Sequence, residues 1–91
     1  MFIYLLESVN FKKYYVGKTS DLEERIKRHN AGYEKATGPY IPYKLISFIE
    51  VDNDSDATRL ERMIKAKKKK SAIYKYFEEN GMGSSPAIHW D

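Results

Sequence analysis

The 91-residue chain contains no cysteine, so no disulfide can staple it and its fold must rest on side-chain packing. The same absence excludes a thiolate zinc site and a cysteine nucleophile. Domains commonly run to ~100–150 residues, so one small domain is expected. A domain of this size buries only somewhat over ~60% of its unfolded surface, which demands a compact core. Charged residues at 32% with aromatics at 14% describe a foldable chain rather than a disordered one. No apolar run approaches the ~20 residues that cross a membrane. Met1–Phe11 has no basic segment before its apolar stretch and no small-residue cleavage site after it. A cytoplasmic protein with no membrane partner is expected.

The net charge of +3, from 16 Lys+Arg against 13 Asp+Glu, conceals an uneven distribution. Glu50, Asp52, Asp54 and Asp56 cluster in mid-chain. Immediately after them, Arg59–Lys70 holds seven basic residues against the single acid Glu61. A second basic set comprises Lys12, Lys13, Lys18, Arg25, Lys27, Arg28 and Lys35. Basic segments interleaved with eight tyrosines suit a polyanion, since ammonium and guanidinium groups neutralise phosphates and aromatic faces stack on bases. A solvated, lysine-rich helix face is the simpler reading of charge alone.

Phe2–Glu7 and Lys12–Gly17 are apolar and aromatic segments around a turn at Ser8–Phe11, which predicts a β-hairpin. A turn centred on Val9-Asn10 places Tyr4 opposite Tyr15 on one face, with Ile3 opposite Val16 and Leu5 opposite Tyr14 on the other. Ser20 followed by Glu23 reads as a capping box, and Gly32 as a stop, so a helix is predicted over Asp21–Ala31. Gly32–Pro42 reads as a loop with room for a short helical turn, and Leu45–Val51 as a third strand. A second helix from about Asp56 to Lys68, capped by Asp54 or Ser55, and a short third over Ser71–Glu79 complete the expectation. Residues 1–80 form the domain, and the Gly, Ser and Pro of Gly81–Asp91 predict a loose tail.

Helical projection makes three polar residues conspicuous. At ~100° per residue, Leu22, Ile26 and His29 share one stripe with Arg25 at its edge. In the later helix, Glu61 projects between Ala57, Leu60 and Ile64. A carboxylate on a packed face must be paired, protonated or bound to a cation, so such positions are site candidates. Simpler accounts exist for each. His29 can be a hydrogen-bonded core residue, Glu61 can pair with Lys65 one turn on, and Tyr4 with Tyr15 can be an ordinary cross-strand pair. Asp52-x-Asp54-x-Asp56 opens like a calcium loop, but Ala57 and Met63 stand where glycine and glutamate are needed. With only His29 and His89, a histidine-rich metal site is excluded.

Phe2-Ile3-Tyr4 followed by Tyr15-Val16-Gly17 resembles the tripeptide pair that names the GIY-YIG nuclease superfamily. The likeness continues through Lys18, Arg25, His29-Asn30, Gly32, Pro42-Tyr43-Lys44-Leu45 and Ala57…Arg59-Leu60-Glu61…Ile64-Lys65. The chain looks like the small stand-alone branch, similar to the N-terminal nuclease domain found in excinuclease. Phe2 replaces the first glycine, and Val16 replaces the middle isoleucine of the second tripeptide. The resemblance implies an α+β fold, a three-stranded antiparallel sheet flanked by helices in the order β-β-α-β-α-(α). It further implies single-metal hydrolysis of phosphodiester bonds in DNA, in repair or recombination. Carried over, Glu61 would ligate Mg²⁺ or Mn²⁺, and Tyr4, Tyr15 or His29 would take the proton of the attacking water. Arg25 would hold the scissile phosphate, and Lys18 would support a phosphate or lower a tyrosine pKa. Arg28, Lys65 and Lys68 are the expected nucleic-acid contacts. The expected partners are DNA and a larger repair complex or second DNA-binding protein. Two alternatives stand beside the endonuclease: a nucleic-acid-binding module of the same fold with little or no catalysis of its own, and a protein-interaction role through Ala87–Trp90 or the lysine run.

Overall fold

The computed structural model describes residues 1–82 and shows the expected α+β architecture. Its elements are β1 (Phe2–Ser8), β2 (Tyr14–Thr19), α1 (Leu22–Asn30), a 3₁₀ turn at Gly38–Tyr40, β3 (Tyr43–Glu50), α2 (Asp54–Lys65) and α3 (Lys70–Asn80). The antiparallel sheet has the order β2-β1-β3. Ile3, Tyr4, Leu5 and Leu6 in the central strand are all buried, as a strand covered on both faces requires. On one face Ile3, Leu5 and Val16 pack against Ala57 and Ile64 of α2 and Ile73 and Phe77 of α3. On the other, Tyr4, Leu6, Tyr43 and Leu45 meet Leu22 and Ile26 of α1. The Tyr74 hydroxyl donates to the Glu7 carboxylate, tying α3 to the sheet.

The hairpin register differs from expectation by two residues. Tyr4 lies opposite Gly17, and Tyr15 opposite Leu6. Ile3 pairs with Lys18, Leu5 with Val16 and Glu7 with Tyr14. The cause is the turn. Its closing bond runs from Ser8 N to Lys13 O (2.9 Å), so the loop between them spans Val9–Lys12 and centres between Asn10 and Phe11. Because side chains alternate with period two, a shift of two changes the partners and keeps the faces. Tyr4 and Tyr15 therefore remain on one face as diagonal neighbours.

Both helix starts move as well. α1 is capped by Asp21, whose carboxylate accepts from Glu24 N at 3.1 Å, and not by Ser20. α2 is capped by Asn53, which accepts from Asp56 N at 2.8 Å, rather than by Asp54 or Ser55. It ends at Lys65, before the expected Lys68, because Lys68 takes a left-handed φ of 62° in the bend to α3. Gly32 follows α1 with φ 83°, the left-handed stop its position predicts. Gly81 and Met82 are held rather than loose: Gly81 N donates to Phe77 O, and Met82 bridges to Phe48. The remainder of the expected tail, with Ala87–Trp90, lies outside the described residues.

Candidate active site

The candidate site is built on the α1 face of the hairpin. Tyr4 projects from the middle of β1, 1% exposed, with its hydroxyl 2.9 Å from Nε2 of His29. Its ring reaches that position because the facing residue, Gly17, has no side chain. A Cβ there would lie 2.6 Å from Tyr4 Cζ and 2.8 Å from Tyr15 Cε2. One glycine thus creates the slot for both tyrosine rings.

His29 reaches the same point from the inner stripe of α1. It is fully buried, and its Nδ1 lies 2.9 Å from Thr37 Oγ1. Both ring nitrogens are therefore partnered by hydroxyls, each of which can donate or accept. Burial, reinforced by the cationic Arg25 and Arg28, lowers its pKa from the ordinary 6.5, while Glu34 acts in the opposite sense. His29 is thus neutral at pH 7. Tyr4 is held firmly as a phenol: burial raises its pKa, Tyr15, Glu34 and Glu61 add to the rise, and Arg25 opposes it. The ring of Tyr15 stands 4.9 Å from the His29 ring and 6.2 Å from that of Tyr4.

Two further elements supply charge. Arg25, one turn before His29 on α1, has Nη1 3.5 Å from Glu34 Oε1. Its Nε is buried without a hydrogen-bond partner among the described residues. Glu61 comes from α2, which packs on the opposite sheet face, and its charge adds to the rise in the Tyr4 pKa. Its side chain is 20% exposed and pairs with Lys65 at 3.4 Å. Lys65 Nζ also stands 5.7 Å from the centre of the Tyr15 ring. Tyr4, Tyr15, Arg25, His29 and Glu61 are thereby gathered around the β1–β2 hairpin.

Apart from Lys65, the expected basic contacts separate from this cluster. Lys18 is engaged elsewhere, donating to Asp54 Oδ1 at 2.8 Å and Thr58 Oγ1 at 2.6 Å. It pins the start of α2, and it is not among the charges acting on Tyr4. Arg28 lies on the exposed side of α1, and Lys68 is exposed in the bend before α3. The lysine–tyrosine interleaving also takes a specific form. Lys13, Lys65, Lys67 and Lys70 stand 5.1–5.7 Å over the rings of Tyr40, Tyr15, Tyr76 and Tyr74. These tyrosine faces hold ammonium groups in place rather than lying bare for bases.

Sequence reasoning missed Thr37 and Glu34, which no helical or strand period marks, because both sit in the irregular segment after α1. It noted Asn30 without its structural role. The Asn30 side-chain amide donates to Tyr43 O at 3.0 Å and accepts from Tyr43 N at 2.6 Å, locking the end of α1 to β3.

A divalent ion can be tested against this donor set. Among the described residues no three His, Cys, Asp or Glu converge as a metal-binding group. A hard dication such as Mg²⁺ commonly takes one or two carboxylates and fills its shell with water and substrate phosphate. The partly exposed Glu61 carboxylate fits that mode.

Residues 1–76 match the family model of the GIY-YIG catalytic domain. The chain is 39% identical over 67 residues to the UPF0213 protein YsiG of Lactococcus lactis subsp. lactis, a match covering 72% of this chain and 64% of that relative. It thus spans slightly less than two thirds of that protein's length. A UPF0213 protein of Lactococcus lactis subsp. cremoris is 34% identical over 80 residues, covering 87% of this chain and 81% of the relative. One from Streptococcus pyogenes serotype M3 is 34% identical over 76 residues, covering 82% of each. No solved structure matches the chain.

Proposed function

The chain belongs to the GIY-YIG catalytic-domain family, a nuclease family, and from that premise we propose that it is a divalent-metal-dependent endonuclease acting on DNA. The observation that carries the proposal is the Tyr4–His29 hydrogen bond, with Arg25 of the same helix as His29, Tyr15 of β2 and Glu61 of α2 gathered about it. A setting in repair or recombination belongs to the same proposal, on the strength of the resemblance to excinuclease.

Phosphodiester hydrolysis needs a proton acceptor for water, a cationic group for the phosphate and relief of charge on the leaving oxygen. Tyr4 alone is a poor acceptor, since burial and nearby negative charge hold it as a phenol. The pair resolves the difficulty. A proton passes from water to the Tyr4 oxygen as the Tyr4 proton passes to Nε2 of neutral His29, in the tautomer that donates from Nδ1 to Thr37 Oγ1. Thr37 fixes the ring orientation and stabilises the imidazolium that forms. Arg25 offers a planar fork matched to phosphate oxygens, with its buried Nε still in need of an acceptor. Tyr15 borders the position of the attacking water. Glu61 would hold Mg²⁺ or Mn²⁺, which when bound supplies Lewis-acid polarisation of the phosphate.

The test is plasmid nicking under a metal titration. Wild type is expected to nick only with divalent metal, and Glu61→Gln to lose about 100-fold or more of the rate with its thermal unfolding unchanged. Equal rates for the two proteins would overturn the assignment of Glu61. Tight, salt-sensitive DNA binding without any metal-dependent product would support a binding module in its place.

A further inference from the structure

One carboxylate in the cluster has no part in the proposed chemistry. Glu34 lies beyond α1 in the segment leading to the 3₁₀ turn, with Oε1 3.5 Å from Arg25 Nη1. Both side chains are about one third exposed, at 31% and 32%. The charge of Glu34 raises the pKa of Tyr4 and of His29 alike, so it lies near the cluster. Arg25 nevertheless remains under-satisfied, with Nε buried and unpartnered among the described residues. Guanidinium carries five donors in a fork that suits a pair of oxygens on one acceptor, whether carboxylate or phosphate.

We propose that Glu34 is an internal occupant of the phosphate seat, holding Arg25 in the free protein until a DNA phosphate displaces it. The proposal rests on the reading of Arg25 as the phosphate ligand. At 3.5 Å and partly in solvent the ion pair is weak, so a ligand reaching both Nη1 and the buried Nε can replace it. The two anions exclude each other, because a phosphate at Arg25 would face the Glu34 carboxylate as a like charge. The backbone of Glu34 is anchored, its carbonyl accepting from Gly38 N at 2.7 Å. Displacement is therefore a swing of the side chain rather than of the loop. The contact sets a threshold for ligands: a polyanionic backbone with additional lysine contacts clears it, whereas a small monoanion does not. Glu34 is in this sense a specificity-determining residue.

The experiment is equilibrium binding of a fluorescently labelled DNA duplex with metal chelated, so that no cleavage enters the readout. Wild type, Glu34→Gln, Arg25→Ala and the double variant are compared after far-UV circular dichroism confirms folding. Glu34→Gln is expected to bind roughly two- to five-fold tighter, the range of a partly exposed ion pair, and this gain is expected to vanish in the Arg25→Ala background. With Mg²⁺ present, the same variant is expected to lower KM with little change in kcat. Unchanged or weaker binding by Glu34→Gln, while Arg25→Ala weakens binding, overturns the inference and leaves the nuclease reading standing. An equal gain in both backgrounds also overturns it, since that is the general effect of removing a negative charge. If Arg25→Ala leaves affinity untouched, Arg25 is not the phosphate seat and its role in the proposed function falls too.

Discussion

Tyr4 and His29 serve the core and the proposed chemistry through one hydrogen bond. Removing the Tyr4 hydroxyl leaves Nε2 of a fully buried imidazole without its partner. Tyr4→Phe is therefore expected to cost about 1–3 kcal/mol, measured by urea unfolding, although the ring still fills its slot. The same variant is expected to lose most DNA cleavage, because His29 can no longer receive a proton through the phenol. A variant of normal stability and full activity would contradict both halves. At this scale the sequence was informative where residue type and period agreed. His29 stands out as the polar member of an apolar stripe, and Tyr4 with Tyr15 share a face under any even shift of register. Glu34 and Thr37 left no such mark, since a carboxylate and a hydroxyl in an irregular loop acquire meaning only from what the fold sets beside them.

The elements are legible in the sequence because their signals are local. Apolar strands, the left-handed glycine after α1 and acidic first turns all speak through near neighbours in the chain. Boundaries are less so, as the caps show. Several residues of capping type adjoin each start, Ser20 with Asp21 and Asn53 with Asp54 and Ser55, and the direction from which the chain enters decides which one bonds the free amides. Thr19 influences that choice at α1, its hydroxyl accepting from Asp21 N at 3.1 Å. Asn53→Ala and Asp21→Ala are each expected to lower stability by about 0.5–2 kcal/mol. Ser20→Ala and Ser55→Ala are expected to stay within about 0.5 kcal/mol of wild type. Thermal or chemical denaturation of the four variants checks the assignment, and a large loss at either serine would reverse it.

At the scale of the molecule, a neutral histidine sealed between sheet and helix makes stability depend on pH. The pKa of His29 is lowered by folding, so between its folded value and the ordinary 6.5 the unfolded chain binds more protons. This contribution is complete above about pH 6.5 and is lost as pH falls through the folded value. Unfolding free energies measured across the acid range are expected to fall below pH 6.5, less steeply in His29→Gln. A flat profile in wild type would show that His29 titrates alike folded and unfolded. By itself the sequence determined the strands, the helices, the faces on which Tyr4, Tyr15 and His29 lie, and the family resemblance, because each follows from spacing within a few residues. Only the tertiary structure decided that Gly17 opposes Tyr4, that Lys18 secures α2 and that Glu34 pairs with Arg25. Those outcomes depend on the length of one turn and on groups distant in sequence meeting across the sheet, where packing and charge choose among partners that local spacing leaves equivalent.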